Sequence, residues 1–161
     1  MYPRAKAFGL ATHHGRLLVQ EYHTGDETYY RPLGGSIELG EQSAHTVIRE
    51  FKEELHTEVE ITNYLGCLEN IFQLDEAIGH EIIQLYSLRL LDTSLYEMEK
   101  VNIQDEQTVS YAKWIPVTAF IQKEKALYPN GILKYLQQKK TKSYRISSFF
   151  SYSILTNISK T

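Results

Sequence analysis

Three glutamates, Glu50, Glu53 and Glu54, stand three and four residues apart within the stretch GSIELGEQSAHTVIREFKEELHT, Gly35–Thr57. On a helix, residues at those spacings meet, and like charges cost roughly 0.2–0.5 kcal/mol per pair. Crowded carboxylates raise one another's pKa unless a cation intervenes. An all-oxygen set without thiolate suits Mg²⁺ or Mn²⁺ better than zinc. Such an ion can neutralise phosphoryl oxygens and lower the pKa of an attacking water, so the chemistry indicated is metal-assisted hydrolysis. The competing reading is a solvated acidic face, softened by Arg49 and Lys52. For the three glutamates alone, that competing reading is the stronger.

The residues upstream reverse the balance. Gly34-Gly35 predicts a glycine turn that lets the backbone approach a ligand closely, ahead of a helix starting near Glu41. Within Glu41–Leu55 the apolar residues Ala44, Val47, Ile48, Phe51 and Leu55 share about 100° of arc, a single stripe for the core. On the same wheel, with Ala44 at zero, Glu53, Glu50 and Glu54 fall at about 180°, 240° and 280°. The carboxylates therefore occupy one flank, and Glu54 lies at the edge of the buried stripe. Glu41 and Arg49, eight apart, are long enough to meet and brace the turn.

The elements that must position this flank read in order. Ala5–Ala11 and Leu17–Tyr22 are apolar runs joined through Gly15, a hairpin with positive φ at the glycine. His13 and His14 are adjacent, so they should point apart and serve as turn residues, not as a metal pair. Thr28–Leu33 is a short aromatic strand broken at Pro32. Glu58–Leu74 and His80–Leu91 are strands around a loop at Asp75–Gly79. Asp92–Gln107 reads as a polar loop, Ser110–Ile115 as a strand and Val117–Gln122 as a helical turn. Asn130 caps a last helix, Ile132–Lys139.

Composition bounds the class. The chain has 161 residues, 42% hydrophobic and 23% charged, enough for one domain with a real core. A net charge of -3 offers no basic field for nucleic acid or an anionic membrane. No apolar run reaches the roughly 20 residues needed to cross a bilayer, and the opening residues do not read as a cleavable signal. With the single cysteine Cys67, these features fit a cytoplasmic protein without a disulfide framework. Residues 141–161 differ from the rest: they hold nine Ser/Thr and carry +3, against -6 for residues 1–140. The domain is therefore expected at 1–140, with a basic tail that fits either helical or strand spacing and would dock, if anywhere, on a partner subunit of a homodimer.

The central stretch resembles the Nudix box: Gly, five residues, Glu, seven residues, Arg-Glu, an aliphatic, any residue, Glu-Glu. Gly35, Glu41, Arg49, Glu50, Glu53 and Glu54 fall in register, with Phe51 as the bulky apolar. The box departs at its end, where His56 replaces a glycine and Thr57 an aliphatic. His tolerates the left-handed region better than most residues, so this swap should cost about 1 kcal/mol or less and removes no ligand. The resemblance implies an α+β fold, an α/β/α sandwich with a mixed central sheet, box helix and C-terminal helix. It implies Mg²⁺ (or Mn²⁺) held by Glu50, Glu53 and Glu54, with the Gly34 carbonyl as a further ligand. One glutamate would act as general base, Arg49 and Glu41 would orient, and Glu106 (or Asp105) would add an acid.

The substrate implied is a small nucleotide, a nucleoside diphosphate linked to another group; ordinary or oxidised triphosphates and nucleotide sugars all qualify. Tyr22, His23, Tyr29, Tyr30 and Arg31 flank the site on neighbouring strands and are candidates to stack on a base or pair with phosphate. Of these, Tyr30 and Arg31 are the substrate contacts expected. Asn130 lies where one branch of the family carries a base-reading Asn, although helix capping accounts for it as well. Two functions remain: a metal-dependent hydrolase, or a binding module that senses a nucleotide without cutting it. Retention of every box carboxylate favours the hydrolase.

Overall fold

A computed structural model describes residues 2–74, 77–104 and 109–137. Glu106, Asp105, the last two residues of the expected C-terminal helix and the 141–161 tail lie outside these. Strands β1 (Arg4–His13) and β2 (Arg16–Thr24) form the expected hairpin. Its two turn residues, His14 (φ 46°) and Gly15 (φ 75°), are both left-handed, the geometry that matches strand twist in a tight hairpin. That turn also overrides the expectation that His13 and His14 diverge. It curls His14 back, and the two rings meet edge to face at 4.0 Å.

Pro32 separates β3 (Glu27–Arg31) from β4 (Leu33–Ser36). The expected glycine turn is therefore a strand instead: β4 runs antiparallel to β1, with Ala7 opposite Gly35 and Phe8 opposite Gly34. Glycine is needed here for closeness. A Cβ on Gly34 would stand 2.1 Å from the Ala7 carbonyl oxygen, and its φ of 141° is one that side chains rarely adopt.

Helix α1 (Ser43–Leu55) follows, starting two residues later than expected because Glu41 turns back to accept from the Glu38 N–H at 3.2 Å. Val47, Phe51 and Leu55 bury the predicted stripe against Ala7, Ala11, Leu18, Leu88 and Trp114. Phe51 is fully buried, so truncating it to alanine would cost about 3–5 kcal/mol. The helix ends at His56, left-handed at φ 51°, whose N–H bonds the Phe51 carbonyl. His56 thus takes the conformation in which glycine would have been cheaper.

The long strands β5 (Val59–Leu74) and β6 (Ala77–Leu90) pair antiparallel, and β6 runs parallel to β1. The region expected as a polar loop holds a 3-10 turn (Thr93–Tyr96) and strand β7 (Lys100–Gln104). Alternating Val101 and Ile103 are buried there, and their burial outweighs the surrounding acids. β8 (Val109–Pro116), α2 (Val117–Ile121), β9 (Ala126–Leu127) and a helical segment at 132–137 complete the described residues.

The main strand order is β5-β6-β1-β2-β3-β9, with β4 on β1, β8 on β2 and β7 on β8. Alternation along β1 divides the core into two. Ala7 and Ala11 face α1, while Phe8 and Leu10 face Ile83, Leu85, Phe120, Ile132 and Leu136 on the other side. Helices thus cover both faces of a mixed sheet, the α+β sandwich expected.

Candidate active site

The site is built around one guanidinium. Arg49 Nε and Nη2 fork onto Glu41 at 2.9 and 3.1 Å. Nη1 donates to Glu50 Oε1 at 2.9 Å and Glu53 Oε2 at 3.1 Å, and Nη2 also reaches the Ser36 carbonyl at 3.2 Å. Arginine has five N–H groups, and these five bonds use all of them. The spacing explains why it works. Glu53 is one turn on from Arg49, Glu50 is its neighbour, and Glu41 folds back over the first turn of α1.

Glu41 is the better fixed end of this pair. Thr46 Oγ1 donates to its Oε2 at 2.8 Å, and the bonds from Arg49, with that from Thr46, hold its carboxyl down at about 2. Arg49 is pushed the other way, its guanidinium bound still more firmly to its proton, chiefly by Glu41. The bracing read from the eight-residue spacing is thus present. Thr46 was not legible as part of it. At about 200° on the wheel it lies opposite the apolar stripe, yet it is fully buried, because the Glu41 loop closes over it.

The three box glutamates show the graded exposure that the wheel predicts. The Glu53 side chain is 60% exposed, Glu50 15%, and Glu54 is half-buried with its Oε2 sealed from solvent. Glu50 lies flat against β4: a Cβ on Gly35 would stand 1.9 Å from its Oε1. Gly35 therefore leaves a cradle that only a missing side chain provides. Among the described residues no three His, Cys, Asp or Glu side chains converge on one point as a metal would require. Glu50 and Glu53 are instead drawn to Arg49. One cation thus faces Glu41, Glu50 and Glu53, with Glu54 on the same flank, and the excess of hard oxygen donors fits Mg²⁺ or Mn²⁺.

The expected substrate contacts separate. Tyr30 is not a platform for a base: it is 3% exposed, packs on Phe120 at 5.8 Å, and its hydroxyl is shared by Glu21 and Lys125. Its place in strand β3 turns it into the core. Tyr22 and Tyr29, opposite each other across β2 and β3, stack on one another at 5.2 Å. Arg31 faces the sheet, its guanidinium over the Phe8 ring and 3.4 Å from Glu81 Oε2. Asn130 lines a separate cleft of about 320 Å³ with Lys125, Tyr128 and Leu133. Glu106 and Asp105 lie outside the described residues.

The same architecture recurs in solved structures. A NUDIX hydrolase from Nitrosomonas europaea superposes with a TM-score of 0.65 at 12% identity, over 87% of this chain and 90% of that one. A MutT protein from Methanosarcina mazei Go1 gives 0.60 at 14% identity, over 88% and 96%. An ADP-ribose pyrophosphatase from Streptococcus suis gives 0.54 at 14%, over 79% and 81%. At these identities the likeness is one of fold. No curated protein matches the chain. The NUDIX domain model, however, matches residues 3–136, which takes in every described strand and the whole box helix. The chain belongs to the Nudix hydrolase family.

Proposed function

We propose that this protein is an Mg²⁺-dependent pyrophosphohydrolase that cuts the phosphoanhydride of a nucleoside diphosphate linked to a further group. The observation that carries this reading is the Arg49 knot. A guanidinium with every N–H engaged holds Glu50 and Glu53 on the flank they share with Glu54, beside the Gly35 cradle. Glu50, Glu53 and Glu54 are the ligands in this reading, with the Gly34 carbonyl beside them and Glu106 as the additional acid. A bound divalent cation would supply charge neutralisation at phosphorus and a more acidic water.

The chain's own residues do the rest. Glu41 and Ser36 hold Arg49, and Arg49 holds the carboxylates at a fixed height along α1. One of those carboxylates accepts the proton of the attacking water. Gly35 lets the glutamates and β4 approach without a side chain between them. The experiment is release of phosphate or pyrophosphate from a panel of nucleoside triphosphates, nucleotide sugars and dinucleotides with Mg²⁺. Turnover of one class that stops on chelation supports the hydrolase. Saturable binding without any turnover supports a nucleotide sensor on the same fold.

A further inference from the structure

On the face of the sheet away from α1, a carboxylate is buried where the strand pattern calls for an apolar side chain. Glu81, Ile83 and Leu85 alternate inward along β6, and Glu81 is 1% exposed. Its Oε1 accepts from Arg4 at 3.2 Å, and its Oε2 accepts from Arg31 at 3.4 Å and Asn70 at 3.0 Å. Lys6, on the same side of β1 as Arg4, feels Glu81, Arg31 and Arg4 together. Three cations thus surround one carboxylate. Among the described residues Lys6 forms no ion pair, and burial pushes its ammonium below the usual lysine range. Burying a carboxylate costs several kcal/mol before its partners repay it, so a side chain that merely filled the space would be the cheaper choice. What Glu81 achieves is to pin two long guanidinium arms in one place.

That place adjoins the box. Lys6 Nζ reaches Ser36 Oγ at 3.4 Å, while the carbonyl of the same Ser36 accepts from Arg49. Lys6 also senses Glu50. The cationic group and the carboxylate flank therefore meet across β4. A substrate whose anhydride lies at the glutamates would place its next group against Lys6 and the two arginines. A neutral sugar there would leave the excess positive charge uncompensated. An ionised phosphate would meet a fork suited to it.

We infer that Arg4, Lys6 and Arg31, pinned by Glu81, form a clamp for a further phosphate beyond the one attacked, which selects substrates bearing a third phosphate over those ending in an uncharged group. Glu81 is the positioning residue of this clamp. The inference rests on the proposed reading of the box for where the anhydride lies, but its test does not need turnover.

The test measures equilibrium binding, by calorimetry in Mg²⁺, of non-cleavable methylene analogues of a nucleoside triphosphate and of the matching diphosphate. The native protein is expected to bind the triphosphate analogue roughly tenfold or more tightly, and Lys6→Ala and Arg31→Ala each to remove most of that gap. Glu81→Gln should shrink the gap too, and in turnover should raise KM for a triphosphate more than for a nucleotide sugar, with a smaller change in kcat. Glu81→Asp should restore part of the gap. Lys6→Ala and Arg31→Ala carry the test if Glu81→Gln fails to fold. Equal affinity of the native protein for both analogues, or a gap that survives Lys6→Ala and Arg31→Ala, overturns the clamp. A lost gap with no hydrolysis of any nucleotide upholds the clamp and rejects the hydrolase; turnover with an unchanged gap does the reverse.

Discussion

Two charged knots lie on either side of β4, and they are built in opposite senses. In one, Arg49 gathers Glu41, Glu50 and Glu53. In the other, Glu81 gathers Arg4 and Arg31, with Lys6 beside them. Each uses a single ion, deep in its cluster, to arrange several of the opposite sign, and each is left with charge to spare. The first keeps negative charge on hard oxygens; the second keeps positive charge on nitrogen donors. The difference teaches what each lacks. A divalent cation would complete one and an anion the other, and a metal-bound polyphosphate is both at once. Ser36 joins them, its carbonyl to Arg49 and its hydroxyl to Lys6.

The sharpest way to break the carboxylate knot is to remove a ligand and keep the shape. Glu53→Gln and Glu54→Gln should each lower metal-dependent turnover at least about a hundredfold, while circular dichroism and melting stay near native. Native-like rates at limiting Mg²⁺ would remove these residues from the ligand set. Gly35→Ala comes next. Its new Cβ would collide with the Glu50 carboxylate, the movable end of a side chain, so Glu50 should swing away. Turnover should drop about tenfold or more with little loss of stability, and an unchanged rate would show that the position of Glu50 is unimportant.

A smaller effect separates bracing from chemistry. The Glu41 carboxyl is held down at about 2 against an ordinary 4.5, chiefly by Arg49. A folded-state pKa below the unfolded one adds stability that is full above about pH 4.5 and disappears as pH falls toward 2. Glu41→Gln should therefore flatten the acid limb of stability in that window, read from urea midpoints, and leave the basic knot's binding preference alone. The least effect is expected outside both knots. His56→Gly should raise the melting temperature slightly, a gain of about 1 kcal/mol or less, and keep activity. Lost activity would give His56 a role that its capping geometry does not suggest.

Much of the box was legible because a helix repeats at a known angle. The 3.6-residue period located the buried stripe and the carboxylate flank, and the eight-residue spacing located the Glu41–Arg49 brace. The glycines were read as a turn that lets the backbone near a ligand, whereas in the structure they sit in strand β4, approached by Ala7 and Glu50. Their reason for being small lies in Ala7 and Glu50, far off in the chain. Strand β7 was missed since the acids flanking it in the 92–107 stretch outnumber Val101 and Ile103, and only packing shows that two apolar residues suffice. Tyr30 looked like a ligand contact because aromatic residues serve cores and pockets alike. Glu81 did leave a trace, a charge at an inward strand position, though the trace does not name its partners.

What the amino-acid order determined by itself is therefore local and periodic: the helix, its acidic flank, the hairpin and the family they signal. Those depend on neighbours within a turn or a strand pair, and spacing alone reports them. The tertiary structure decided which long-range partners each charge acquired. Arg4, Asn70 and Arg31 reach Glu81 from 77, 11 and 50 residues away, and such meetings follow from how strands are ordered in the sheet. Strand order is set by burial summed over the whole core, a quantity that no short stretch of the chain contains.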